Sequence, residues 1–203
     1  MVLLAICCTQ INQLDPESSS SIRNTSAYLQ ESFGSNVSMI FLYQNIGEII
    51  WDAGGEQWFD NYNNTNDVNY TLNGCIYPTS DYSCDNYPYD YWNLWIHNEG
   101  IDNQHTLQYF STNYDIIILK HGYLVALIQD DEETPNVASS VKTVANYQLQ
   151  FNALKERLHA FPDNRFIIWT GAAVLETNTT LIQAQRAQTF FNWVKNSWDE
   201  TGE

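Results

Sequence analysis

Three short apolar runs constrain the fold more than anything else in this chain: Val37-Ser38-Met39-Ile40-Phe41-Leu42, Tyr114-Asp115-Ile116-Ile117-Ile118-Leu119 and Phe166-Ile167-Ile168-Trp169. The second is a continuous β-branched stretch, the pattern of a strand buried on both faces of a parallel sheet. Each run ends in polar or glycine residues, at Tyr43-Gln44-Asn45-Ile46-Gly47, Lys120-His121-Gly122-Tyr123 and Thr170-Gly171. Helical periodicity separates them. It spans about 22–33, with Ile22, Leu29 and Phe33 apolar and Gly34 as a stop. It returns over about 140–159, through Val144, Tyr147, Leu149, Phe151, Leu154 and Leu158, until Phe161-Pro162-Asp163-Asn164 breaks it. A last helix is expected over about 180–197, and a short helix or turn over Glu48-Ile49-Ile50-Trp51. Strands alternating with helices predict an α/β domain with a parallel sheet.

From 61 to 106 no period holds, and the stretch is crowded with Asn, Tyr and Trp. It reads as an aromatic-rich insert, of the kind that often carries function. Trp92 and Trp95 are its candidate ligand-binding rings, suited to stacking on sugars; the alternative is that they pack the insert onto the core. With 203 residues and no linker, the chain is expected to form one domain over 18–203. The opening Met1-Val2-Leu3-Leu4-Ala5-Ile6-Cys7-Cys8, within a separate 1–17 segment, suits either a truncated signal segment or a buried first strand.

The formal charge is -16, from 24 acidic residues against 8 Lys and Arg, which excludes nucleic acid as an expected partner. No apolar stretch is long enough to span a membrane. Cys75 and Cys84 would suit a loop-closing disulfide in an oxidising compartment, so a secreted, periplasmic or cell-surface location is expected. No Cys or His spacing suggests a metal, and no cofactor is expected.

In α/β folds chemistry sits at the carboxyl ends of strands. A hydrolase would place Ser or Cys after the first run, beside a base; here Asn45 occupies that position. Together with Trp58-Phe59-x-x-Tyr62-Asn63, Tyr87-Pro88-Tyr89-Asp90-Tyr91-Trp92, Phe166-Ile167-Ile168-Trp169-Thr170 and Ala184-x-x-Ala187-x-x-Phe190-x-x-Trp193-Val194, the stretch Phe41-Leu42-Tyr43-Gln44-Asn45-Ile46-Gly47 resembles a bacterial branch of the SGNH (GDSL-like) hydrolase superfamily. That branch reads roughly Phe-x-His-His-Ser-x-Gly in its first block. The resemblance implies a three-layer α/β/α sandwich with a parallel, flavodoxin-like sheet. It also implies ester hydrolysis on acylated carbohydrates or lipids, by a Ser, a His with an Asp three residues earlier, and an oxyanion hole.

Carried over by position, Asn45 matches the nucleophile and Gly47 the glycine of the first block, with Gly54 or Gly55 as second-block candidates. Only Lys120, His121 or Tyr123 could donate where the third block places Asn, and His121 is the imidazole expected nearest a site. Asp102-Asn103-Gln104-His105 precedes the second run and does not match the family's late Asp-x-x-His. The sequence as it stands to Glu203 lacks that element and the strand before it, so a C-terminally truncated member is expected. Two functions follow: an SGNH-type esterase using a small-molecule or glycan substrate, or a non-catalytic glycan-binding or surface protein on the same scaffold.

Overall fold

The three apolar runs form neighbouring strands of one all-parallel sheet. The computed structural model describes residues 2–5 (as backbone), 34–82, 85–131, 134–171 and 174–198. The strands are β1 (Val2–Ala5), β2 (Asn36–Tyr43), β3 (Asn69–Ile76), β4 (Ile116–Lys120) and β5 (Arg165–Trp169), in the order β1-β5-β4-β2-β3. Every pairing is parallel. From β2 the chain first steps outward to β3, then crosses back over β2 to β4. The strand order therefore reverses between β2 and β4, the topological switch point where doubly wound sheets place their ligands.

The helices are α1 (Ile46–Asp52), α2 (Gly55–Asn66), α3 (Pro88–Trp92, running on as a π turn to His97), α4 (Leu107–Asn113), α5 (Val144–Leu158) and α6 (Leu181–Trp193, with a π turn to Trp198). They begin where local chemistry allows. Thr106, Thr143 and Thr180 each accept a backbone N–H at a helix N-terminus, and Thr180 completes a capping box with Gln183. Lys155 and Arg157 lie in the last turn of α5, where cations suit the helix dipole.

Side chains alternate across the sheet. Ile40, Leu42, Ile117, Leu119, Phe166 and Ile168 enter the larger core with Tyr147, Phe151, Leu154, Leu158 and Phe190 from α5 and α6. Met39, Tyr70 and Ile116 face the smaller one, against Phe59 and Tyr62 of α2. Helices on both faces are compatible with the three-layer arrangement.

One expectation needs correction. The region 61–106 is not a structureless insert: it holds the end of α2, all of β3, α3 and the 3₁₀ turn Ile101–Asn103. β3 has no apolar run because it is an edge strand, with Asn69, Thr71, Asn73 and Gly74 exposed. Of the two readings of the opening residues, the structure describes a strand: β1 pairs with β5 from Val2↔Phe166 to Ala5↔Trp169. The expected helix over 22–33 lies outside the described residues. Among those residues no helix is long and apolar enough to cross a membrane.

Candidate functional site

The switch point places Asn45 and His121 at adjacent strand ends. Leu42 and Leu119 are in register, so the residues that follow each strand emerge side by side. Asn45 closes β2 and opens α1 with φ 50 and ψ −109. Such backbone costs ~1–3 kcal/mol and persists only where surroundings impose it. Here they do: the Gly47 N–H donates to Gln44 O at 3.0 Å, the Glu48 N–H to Asn45 O at 2.9 Å, and Gln44 Nε2 to Pro78 O at 2.8 Å. Gly47 itself is required, because a Cβ there would lie 2.3 Å from Tyr43 Cβ, an atom tied to the strand. The Asn45 side chain is exposed, and its Nδ2 lies 3.5 Å from where a Cβ on Gly122 would stand.

Asn86 locks the other side of the corner. It is buried at φ 53, and its Nδ2 donates to Tyr77 O at 2.6 Å. The Gly122 N–H donates both to Asn86 O, at 3.1 Å, and to Asn86 Oδ1, at 3.2 Å. The loop after β3 is thereby fastened to the end of β4. Beside it Lys142 Nζ donates to Asp85 Oδ2 at 2.5 Å and lies 5.0 Å from the centre of the Tyr87 ring.

His121 is not placed to act as a base. It is 1% exposed, and its ring sits edge-on to Tyr91 at 5.0 Å, with Phe151 at 5.7 Å. Neither ring nitrogen has a hydrogen-bond partner. Burial, aided by the neighbouring Lys120 ammonium and opposed by the Asn86 backbone, pushes its pKa down to about 3. The imidazole is thus neutral and dry at ordinary pH. Lys120 is equally buried, its Nζ donating to His121 O at 2.9 Å.

One carboxyl nearby is poised near neutrality. Asp90 is 2% exposed and accepts the Tyr87 N–H at 3.1 Å, capping α3. Burial raises its pKa to about 7, with Asp85 adding to the rise and the Tyr87 N–H opposing it. Sequence reasoning missed Asp85, Asn86, Asp90 and Lys142. Only Tyr87-Pro88 followed by Asp90, a helix start with an acid in its first turn, offered a signal.

The remaining expected residues fall away from the corner. Gly54 opens α2 at φ 102, one α1 length from the strand ends, roughly 10 Å for a helix of this size. It is therefore not an oxyanion group; the segment beside Asn45 is the loop after β3. Tyr123 begins the 3₁₀ turn Tyr123–Ala126 directly after Gly122 and is half-buried. Trp95 is 0% exposed, donating Nε1–H to Tyr77 Oη at 2.7 Å, and Trp92 is 7% exposed, stacked on His97 at 4.8 Å. Both rings belong to the core beneath α3, so neither is an open platform for a sugar. Cys75 is a free thiol on β3, and Cys84 lies outside the described residues. Among the described residues no cluster of His, Cys, Asp and Glu is built to hold a metal.

No protein-family model matches the chain, and neither a curated protein nor a solved structure is detectably similar to it.

Proposed function

We propose that this chain is a non-hydrolysing relative of the SGNH-type esterases, which binds a glycan, acylated or plain, at the carboxyl ends of β2 and β4. The observation that carries this reading is Asn45: an exposed amide on a strained strand-to-helix corner at the switch point, with the adjacent imidazole sealed and neutral. An amide is not a useful nucleophile. It does offer a donor and an acceptor, which suits sugar hydroxyls. Removing the attacking group from a hydrolase leaves only the modest rate supplied by binding and oxyanion contacts.

A second reading, an active ester hydrolase, draws on the corner itself. A sharp strained turn between strand and helix is how α/β hydrolases expose a nucleophile, and Asn45 retains that geometry.

Restoring a hydroxyl separates the two. Wild type and Asn45→Ser are assayed for acetate release from acetylated oligosaccharides and for binding to a glycan array. The binding reading expects no turnover from either protein, because His121, the imidazole at the corner, is buried and neutral, and array binding by wild type that weakens with the substitution. Turnover by wild type would establish the hydrolase, and a blank array would remove the glycan.

A further inference from the structure

The amino ends of the strands carry a different surface. A cleft of about 380 Å³ opens there, lined by Ser38 of β2, the end of α4, the turn after α5, and Asp115 and Asn164, which directly precede β4 and β5. This volume falls in the range of small-ligand sites.

Its hydrogen-bonding capacity is lopsided. The amide donors and the Ser38 and Thr112 hydroxyls are already committed inside the protein. The Ser38 N–H and Oγ–H both donate to Asp115 Oδ2, at 2.7 and 2.8 Å. Asn164 Nδ2 donates to Ser111 O at 3.0 Å and to Tyr114 O at 2.7 Å. Asn113 Nδ2 donates to Tyr109 O at 2.7 Å, and the Thr112 hydroxyl to Gln108 O at 2.8 Å. Because the amide nitrogens are fixed by carbonyls, the Asn113 and Asn164 oxygens must point elsewhere. Acceptors are what remain: those two oxygens, Asp115 Oδ1 and the exposed Asp163 carboxylate. The Ser111 hydroxyl is unpartnered but closed off from the cleft, so it adds nothing a ligand could reach. Arg165, the residue after Asn164, turns its Nη1 onto the carbonyls of Pro162 and Asn164.

A surplus of acceptors and negative charge in a net -16 chain calls for a ligand that is rich in donors and positive. The ring of Phe161 at the rim already carries one cation, the Arg157 guanidinium at 5.2 Å. We propose that this cleft binds an organic ammonium ion, a primary amine or short polyamine, held by Asp115, Asp163 and the Asn164 amide oxygen with Tyr114 and Phe161 against its carbon chain. The site is independent of the carboxyl-end corner and of the reading given to it.

Putrescine is the first probe, titrated at low salt by calorimetry, with 1,4-butanediol as its neutral counterpart and calcium chloride as a hard cation. The expected result is saturable one-site putrescine binding, about fivefold weaker in Asp163→Asn and unchanged in Asp60→Asn on the exposed side of α2. Asp163 is exposed and makes no contact the fold needs, so Asp163→Asn leaves folding intact. Absence of saturation would overturn the proposal. So would equal weakening by Asp163→Asn and Asp60→Asn, which would mean diffuse attraction to an acidic surface. Equal binding of the diol would show that charge is not recognised, and competitive displacement by calcium at lower concentration would assign the cleft to a metal ion instead.

Discussion

The two ends of the sheet solve opposite problems with the same residue type. At the carboxyl end the buried amide of Asn86 spends both its nitrogen and its oxygen on backbone, joining the β3 loop to Gly122 and closing the space between strands. At the amino end the buried amide of Asn164 spends only its nitrogen, on two carbonyls, and a cleft stays open beside it. The end that α/β topology favours for chemistry buries its imidazole and leaves the Asn45 amide exposed at its corner. The end it disfavours keeps free acceptors. Topology therefore says where a crevice is expected, while local hydrogen-bond accounting decides whether it is open.

Asn86→Ala should break this contrast most severely. It strands the Tyr77 carbonyl and half of the Gly122 bond in a buried place, and leaves alanine at φ 53. Unsatisfied buried groups cost ~1–3 kcal/mol, and left-handed backbone on a non-glycine residue adds to it. A loss of roughly 3 kcal/mol in urea unfolding is expected, whereas Asn164→Ala, whose two carbonyls sit beside open solvent, should lose about half as much. Equal losses would mean that the two ends are equally closed.

Acid and base titrations sharpen the comparison, because the shifted groups His121 and Asp90 both belong to the carboxyl end. Asp90 is raised from the usual 3.8 to about 7, so the fold prefers its neutral form. Its contribution is intact below about 3.8 and lost as pH rises through 7. His121 is lowered from 6.5 to about 3, so the fold prefers the neutral imidazole. Its contribution is intact above 6.5 and lost as pH falls toward 3. Between about 4 and 6.5 the two slopes oppose, and wild-type stability should change little with pH. Asp90→Asn should then show stability rising with pH across that window. His121→Phe, which keeps the aromatic packing and loses only the pull of the Asn86 backbone, should show it falling up to about 7. Each variant is expected to change by up to a few kcal/mol, read from denaturant midpoints at pH 4.5 and 6.5. Flat profiles in both would show that the site is wetter than its packing implies.

Much of the frame was legible in the sequence for a simple reason. Strands β2 and β4 are buried on both faces and β5 keeps apolar residues on both, so hydrophobicity alone marks them, and Thr143 and Thr180 mark their helices by capping. β3 escaped because an edge strand faces solvent along much of its length, and Asn69-Tyr70-Thr71-Leu72-Asn73-Gly74 carries no apolar run. Asn45 and His121 were correctly placed at strand ends, since a strand's end follows from its run. Whether an imidazole is wet or dry depends on rings such as Tyr91 and Phe151, which lie 30 residues away in either direction along the chain and are invisible to local pattern. Trp92 and Trp95 show the same limit. An aromatic cluster looks alike in sequence whether it faces a sugar or a core, and here α3 turns it inward. The amino-end cleft had no signal at all, because it depends on which way two asparagine amides point.

The smallest effect expected is also the one that best isolates the corner. Asn45→Gly removes the φ 50 penalty without deleting a contact the core depends on, since the side chain is exposed. Glycine also gains freedom in the unfolded chain, which offsets part of the relief. The net gain should be on the order of 0.5–1 kcal/mol, visible as a small upward shift in the urea midpoint. A protein that keeps asparagine against that gain keeps it for something the side chain does. If Asn45→Gly is more stable and no longer binds the glycan array, the strain is the cost of presenting the amide. If it is less stable, the amide holds the corner together, and the carboxyl end is structure throughout.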